Sequence, residues 1–140
     1  MNKKKNNKGF TLVELIVVMA IMAILIGAIA PQVIKYVEKA RESKDIQVEQ
    51  TVLTAVHTAV SSSETTVANF SNKSLEDITT DNATLAAAIK ELLSSDMQDD
   101  DGVTGKCQSA KGKAAGGLKI SNTGGTITVQ IGTLKAVSSN

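Results

Sequence analysis

The sequence predicts an α+β protein in which a long N-terminal α-helix carries a small antiparallel β-sheet head packed on its second half. Three observations lead to this prediction. In a chain of 140 residues that is 42% hydrophobic overall, 18 of the 21 residues from Phe10 to Ala30 are hydrophobic. Behind this run, apolar residues recur at steps of three and four, which is the spacing of an amphipathic helix. Near the C-terminus, apolar and polar residues alternate, which is the spacing of strands.

The first element is an apolar segment behind a basic leader. Residues 1–9 contain four lysines and no acidic residue. Residues 10–31 would rise about 33 Å as a helix, close to the ~30 Å of a membrane's hydrocarbon core. From Phe10 onward, 11 basic residues stand against 14 acidic ones. This pattern predicts a single-pass protein whose N-terminus stays in the cytoplasm and whose remainder is exported.

Two ordinary explanations of the apolar segment leave one residue unexplained. A cleaved secretory signal would end near Ala30, but the run is longer than the usual ~7–15 residues and Pro31 would follow the cut. A plain membrane anchor has no use for Glu14, the only charged residue between Lys8 and Lys35. Because a carboxylate at membrane depth costs about 2.5–3.5 kcal/mol, Glu14 is a candidate functional residue.

The second half of the long helix is predicted over residues 32–61. Gly27 and Pro31 mark a bend between the halves, because proline removes a helical hydrogen bond and costs about 3 kcal/mol inside a helix. Charged residues occupy most positions between the apolar ones. The apolar positions are Val33, Val37, Ala40, Val48, Val52, Ala55, Val56, Ala59 and Val60, and the charged ones include Glu38, Lys39, Arg41, Glu42, Lys44, Asp45 and Glu49.

Residues 62–140 are predicted to form the head. A polar connector runs to about Asn82 and contains a short capped turn at residues 74–77. Asp81 then caps a helix over about 82–93, and antiparallel strands follow at about 117–137 with a hairpin turn at residues 122–125. Residues 134–137 are either a third strand or the return of the second strand after a bulge at Gly132. The apolar stripe expected to pack this helix against the long one is Leu85, Ala88, Ile89 and Leu92.

Composition and spacing argue against catalysis and against nucleic acid binding. The chain has three aromatic residues, no phosphate-binding glycine motif and no basic patch that points to nucleic acid. His57 is the only histidine and has no partner for catalysis or metal binding, so we expect a packing or surface role. We therefore expect no enzyme activity, no catalytic residues, no cofactor and no nucleic acid partner.

Two further features have a plain structural interpretation. The acidic cluster Asp99–Asp101 lacks the ordered ligand spacing of a calcium loop, so we expect a solvated turn and predict no metal site. Cys107 is the only cysteine, which excludes a disulfide within the chain and leaves the thiol either free or paired between subunits.

The residues from Lys8 to Leu15, Lys-Gly-Phe-Thr-Leu-Val-Glu-Leu, resemble the N-terminus of type IV prepilins and pseudopilins. The resemblance covers about residues 8–31 and implies a type IV pilin-like fold. It also implies that a membrane peptidase cuts between Gly9 and Phe10 and methylates the new N-terminus at Phe10. Glu14 would then pair with that amino group, in its own subunit or a neighbour, and guide subunit assembly. Pro31 stands where many type IV pilins carry a helix-bending proline.

The resemblance implies a structural subunit of a type IV pilus filament. Its partners would be copies of itself, prepilin peptidase, the pilus or secretion assembly machinery, and the bacterial cytoplasmic membrane before it reaches the cell surface. One alternative is a pseudopilin of a type II secretion or competence system, and another is a membrane-anchored binding protein with an uncleaved anchor. The sequence leaves open whether the filament serves adhesion, motility, DNA uptake or secretion. It also leaves open whether this chain is the major or a minor subunit. Many pilins close a C-terminal loop with a disulfide, which this chain cannot do.

Overall fold

A computed structural model describes residues 9–63 and 67–139 of the chain. In these residues a 51-residue helix, α1 (Leu12–Ser62), precedes a short strand β1 (Phe70–Lys73) and three short helices. The short helices are α2 (Leu75–Asp81), α3 (Ala83–Leu92) and α4 (Asp100–Gly105), and they are followed by β2 (Leu118–Thr123), β3 (Thr126–Ile131) and β4 (Val137–Ser138). The α+β class and its pilin-like layout are confirmed. The leader at residues 1–8 lies outside the described residues.

The long helix is continuous over its whole described length. It passes through Gly27 and Pro31 as helix and ends at Ser62, one residue beyond the predicted end. The bend proposed at Gly27 and Pro31 stays a prediction. The chain divides into two compact units within this helix, one ending at Val37 and the other beginning at Glu38.

In the second unit, the buried face of α1 runs through charged as well as apolar positions. Buried residues lie at 45, 49, 52, 56 and 59, at alternating steps of four and three. The apolar stripe is thus confirmed from Val52 onward, whereas Val33, Val37 and Ala40 are exposed. Asp45 and Glu49, which the sequence places among the charged positions between the apolar ones, are both fully buried in the second unit.

The segment predicted as a polar connector contains two regular elements. Strand β1 and helix α2 occupy most of residues 70–81, so the connector prediction is wrong there. The capped turn is confirmed and extends to a full helix: the Ser74 hydroxyl accepts from Asp77 N at 3.0 Å, and the Asp77 carboxylate accepts from Ser74 N at 3.2 Å. This reciprocal pair satisfies two backbone donors at the start of α2.

The helix predicted over residues 82–93 is α3, but its cap is Asn82 and not Asp81. The Asn82 side chain accepts from Leu85 N at 3.0 Å. Asp81 is instead the last residue of α2, where its carboxylate pairs with Lys73 Nζ at 3.0 Å. On α3, Leu85 and Ile89 are buried as predicted, while Leu92 is half exposed and Leu93 takes a buried position.

Four antiparallel strands form one sheet in the order β1-β2-β3-β4 within the described residues. Strands β2 and β3 pair from Leu118↔Ile131 to Thr123↔Thr126, which leaves only Gly124 and Gly125 in the turn. Both glycines have positive φ, 61° and 89°, as a two-residue hairpin turn requires. The predicted turn at 122–125 was therefore two residues too long. Of the two alternatives for residues 134–137, a separate strand is confirmed as β4, but it begins only at Val137 and pairs with β3.

One hydrophobic core joins the sheet and the short helices to the second unit's part of α1. Val52 and Val56 of α1 belong to the same buried cluster as Ile120 and Val129 of the sheet. The short helices add apolar side chains to this cluster, which include Leu75, Ile78, Leu85, Ile89 and Val103. The prediction that the head packs on the second half of the long helix is confirmed.

Candidate functional site

The N-terminal part of α1 has no buried residue in the described structure. Every residue from 9 to 37 is exposed, including the large side chains Leu25 at 54% and Ile26 at 67%. By length and composition this part of the helix could cross a membrane. An apolar surface this large is unfavourable in water, so its place is in lipid or against other helices.

The start of α1 is organised by Thr11 and Glu14. A Glu14 carboxylate oxygen accepts from Thr11 N at 2.8 Å and from the Thr11 hydroxyl at 2.9 Å. The same hydroxyl accepts from Glu14 N at 3.3 Å. This is a capping box, in which each residue satisfies a backbone donor of the other. Sequence analysis missed the role of Thr11, although the Thr-x-x-Glu spacing was the available signal.

Phe10 and Gly9 precede the helix. The prediction that the helix begins at Phe10 is wrong, because Thr11 takes the capping position and the first helical residue is Leu12. Phe10 is 94% exposed, and an added Cβ at Gly9 would meet no other atom within 4 Å. The peptide bond between Gly9 and Phe10 thus lies in exposed chain just outside the helix.

This arrangement places the predicted cleavage point next to the carboxylate that would receive the new charge. Cutting the Gly9–Phe10 bond would turn Phe10 N into an amino group with an ordinary pKa of about 7.7–8.0, largely cationic at neutral pH. Its neighbour in the chain, Thr11 N, already donates to Glu14. Cleavage at Gly9, methylation at Phe10 and assembly through Glu14 stay predictions.

Residues 4–30 match the prokaryotic N-terminal methylation motif. This motif is the class III signal of type IV pilins, so the N-terminus of the chain is prepilin-like. The match ends at residue 30 and does not include the head. No curated protein and no solved structure shows significant similarity to the chain.

The head of this prepilin-like protein contains a second polar site, which sequence analysis missed. Four carboxylates at alternating steps of four, three and four along α1 point to the same part of the head, and we call them the carboxylate face: Glu38, Glu42, Asp45 and Glu49. Three of them bind the segment at residues 108–111, and the fourth binds the end of β3. Their spacing continues the buried stripe of the helix toward its N-terminus. This spacing was the feature of the sequence that could have indicated a buried polar site.

Asp45 is the most fully bonded member of the carboxylate face. Its oxygens accept from Gln108 N at 2.8 Å, Ser109 N at 2.8 Å and the Ser109 hydroxyl at 2.5 Å. The Ser109 hydroxyl in turn accepts from Gly112 N at 2.9 Å. These bonds join α1 to a chain segment more than 60 residues away and compensate for the burial of the carboxylate.

The first two members of the face, Glu38 and Glu42, make more exposed contacts. Glu38 accepts from Ala110 N, and Glu42 pairs with Lys111 Nζ at 3.2 Å. The Glu42–Lys111 ion pair is partly exposed and contributes about 0–1 kcal/mol. It adds little to the stability of the 108–111 segment.

Glu49 and Cys107 are the titratable groups most affected by burial in the head. Burial raises the pKa of Glu49 to about 7, and Asp45 adds to this, while the hydrogen bond from Ile131 N opposes it. Burial, together with the charges of Asp45 and Glu49, raises the pKa of the Cys107 thiol to about 11. The thiol is therefore neutral and buried, which does not favour pairing between subunits.

The other residues singled out from the sequence have structural positions. His57 lies exposed on α1. Asp99 caps α4 by accepting from Gly102 N at 2.6 Å, and Asp100 accepts from Leu75 N at 2.8 Å, so the acidic cluster starts a helix and is not a simple turn. Among the described residues, no three His, Cys, Asp or Glu side chains are placed to hold a metal ion.

Proposed function

We propose that this pilin-like protein is the structural subunit of a type IV pilus filament and not an enzyme. Prepilin peptidase would cut it between Gly9 and Phe10 and methylate Phe10. Assembly machinery would then move the apolar part of α1 from the cytoplasmic membrane into a bundle of the same segments from other copies. The heads would lie outside that bundle, on the cell surface.

The observation that carries the proposal is the exposed apolar part of α1 directly behind the methylation motif. A plain membrane anchor would also be apolar, but it would not need an open Gly-Phe bond and a helix-starting glutamate at fixed spacing. Cleavage at Gly9 removes only the basic leader and keeps the whole apolar segment. The mature chain would thus have one surface suited both to lipid and to packing against neighbouring helices.

Mass spectrometry of the mature N-terminus tests the processing step. We expect a chain that begins with N-methylated Phe10. A control variant, Gly9→Val, should stay unprocessed. It should still fold, because a side chain at this open position meets no neighbouring atom. An intact Met1 in the wild-type protein, or a start at Pro31, would show an ordinary anchor or a secretory signal instead.

Glu14→Ala tests the assembly step. We expect normal processing but at least a tenfold loss of surface filaments, because the amino group of Phe10 would lack the carboxylate that pairs with it in the apolar bundle. Glu91→Ala, which removes an exposed carboxylate of the head, is the matched control and should leave filaments unchanged. Wild-type filament numbers in the Glu14→Ala strain would refute the role of Glu14.

Electron microscopy of cells that produce the protein separates the pilus subunit from a pseudopilin. Long surface filaments composed mainly of this chain are the expected result. Short assemblies confined to the cell envelope, with the same methylated Phe10, would indicate a pseudopilin of a secretion or DNA-uptake system. The N-terminal motif is compatible with both outcomes.

A further inference from the structure

The two buried members of the carboxylate face differ in how their oxygens are satisfied. Asp45 and Glu49 are one helical turn apart on α1, and both side chains are fully buried. Asp45 receives three hydrogen bonds. Glu49 receives one, from Ile131 N to Oε1 at 2.7 Å, while its Oε2 is buried without a hydrogen-bond partner among the described residues. Glu49 is therefore the poorly compensated carboxyl of the pair.

The surroundings of Glu49 do not supply a cation to offset its charge. Asp45 faces it from the same helix, and the neutral thiol of Cys107 faces it from the segment after α4. The positive charge of Lys113, on the same segment, lowers the pKa of the Cys107 thiol. Strand β3 presents the backbone N–H of Ile131 and otherwise contributes apolar side chains such as Val129. Within the described residues, Glu49 forms no ion pair.

We propose that Glu49 is a pH-sensitive switch that controls how firmly the end of strand β3 is held against α1. When its carboxyl is neutral, Oε1 accepts from Ile131 N and the buried Oε2 carries no charge. When the carboxyl loses its proton, an uncompensated negative charge remains beside Asp45 in a closed site. Opening the contact at Ile131 lets water reach Oε2. Water then solvates the negative charge of Glu49 and weakens its repulsion with Asp45.

The direction of the pH effect follows from the shift of the pKa. The folded protein holds the Glu49 proton up to about pH 7, while the unfolded chain loses it near the ordinary value of 4.5. Between these values the folded state binds more protons, so raising the pH lowers the free energy of unfolding. The contact should thus be firm at pH 5.5 and weaker at pH 8. This inference concerns the head alone and does not depend on the proposed filament.

Hydrogen exchange measured by mass spectrometry on the full-length protein in detergent micelles tests the proposal. After correction for intrinsic exchange rates, we expect the peptide that contains Ile131 to lose about tenfold in protection between pH 5.5 and pH 8. Glu49→Gln cannot ionise and should show no such loss. Glu42→Gln, the control on the same helix face, should behave as the wild type. Equal loss in Glu49→Gln and the wild type, or no loss in the wild type, would overturn the proposal.

A second measurement on the wild-type protein needs no variant to fold. The chain has seven glutamates, and isotope labelling of their carboxyl carbons allows each to be titrated by NMR. We expect one of the seven to titrate with a midpoint near pH 7. Titration of all seven below about pH 5.5 would refute the switch.

Discussion

The two parts of helix α1 have opposite relations to their surroundings. Between Leu12 and Val37 the helix is almost entirely apolar and every side chain is exposed. Between Glu38 and Ser62 it is rich in charge, yet it contains the buried residues Asp45 and Glu49. The more hydrophobic part is thus the exposed one, and the buried face of the more polar part begins with carboxylates.

This contrast shows that the two parts are stabilised by different partners. The second part finds its partners within the chain: backbone N–H groups for its carboxylates and the sheet for its valines. The first part has a capping box at its start, but none of the described residues covers its apolar surface. Its stability must come from lipid or from other copies, which is the behaviour expected of a pilin-type helix.

The largest effect expected in the second part follows from Asp45→Ala. The substitution would leave three donors of residues 108 and 109 without an acceptor inside the head. Since each unsatisfied buried donor costs about 1–3 kcal/mol, we expect the free energy of unfolding to fall by about 4 kcal/mol, measured by denaturation in micelles. Asp101→Ala, at an exposed position of α4, is the control and should cost less than about 1 kcal/mol. Similar losses in both variants would contradict the stabilising role assigned to the three hydrogen bonds of Asp45.

A second pair of substitutions compares the two parts of the helix directly. Val56→Ala removes two methyl groups at a fully buried position and should lower the free energy of unfolding by about 2 kcal/mol. Val33→Ala makes the same change at a position that is 48% exposed, and should change it by less than about 0.5 kcal/mol. Denaturation of both variants in the same detergent is the measurement. Equal losses would mean that Val33 has a buried partner in the isolated chain.

The elements that could be predicted from the sequence are those with strong local periodicity. The long helix, α3 and the β2–β3 hairpin each carry a repeating apolar pattern over six or more residues. Strand β1 has a single apolar residue, Phe70, and its pairing partner in β2 lies about 50 residues away, so no local pattern indicated it. Its positive-φ residue Asn72 also interrupts the register.

The buried carboxylates were missed for a different reason. Their spacing was visible, but charged residues are expected on the surface unless partners for them are known. The donors to Asp45 lie 63 and 64 residues away, and two of the three are backbone N–H groups, which have no signature in the sequence. The donor to Glu49 lies 82 residues away. At the other end of the helix the information was local, since Thr11 and Glu14 are three residues apart and form a recognisable capping box.

An effect comparable to that of Val56→Ala is expected at Gly112, the glycine that lets the chain after Ser109 approach Asp45. An added Cβ at Gly112 would overlap Asp45 Oδ2 and lie 2.8 Å from Cys107 Cβ, both in the buried interior. Because neither neighbour is the free end of a flexible side chain, we expect Gly112→Ala to cost about 1–3 kcal/mol in unfolding free energy. Gly105→Ala places the same methyl group in open space at the end of α4, so it should be neutral or stabilise by up to about 1 kcal/mol. If Gly112→Ala were as stable as Gly105→Ala, the chain at Gly112 would not be held close to Asp45, and the buried part of α1 would have fewer close partners within the chain than the structure indicates.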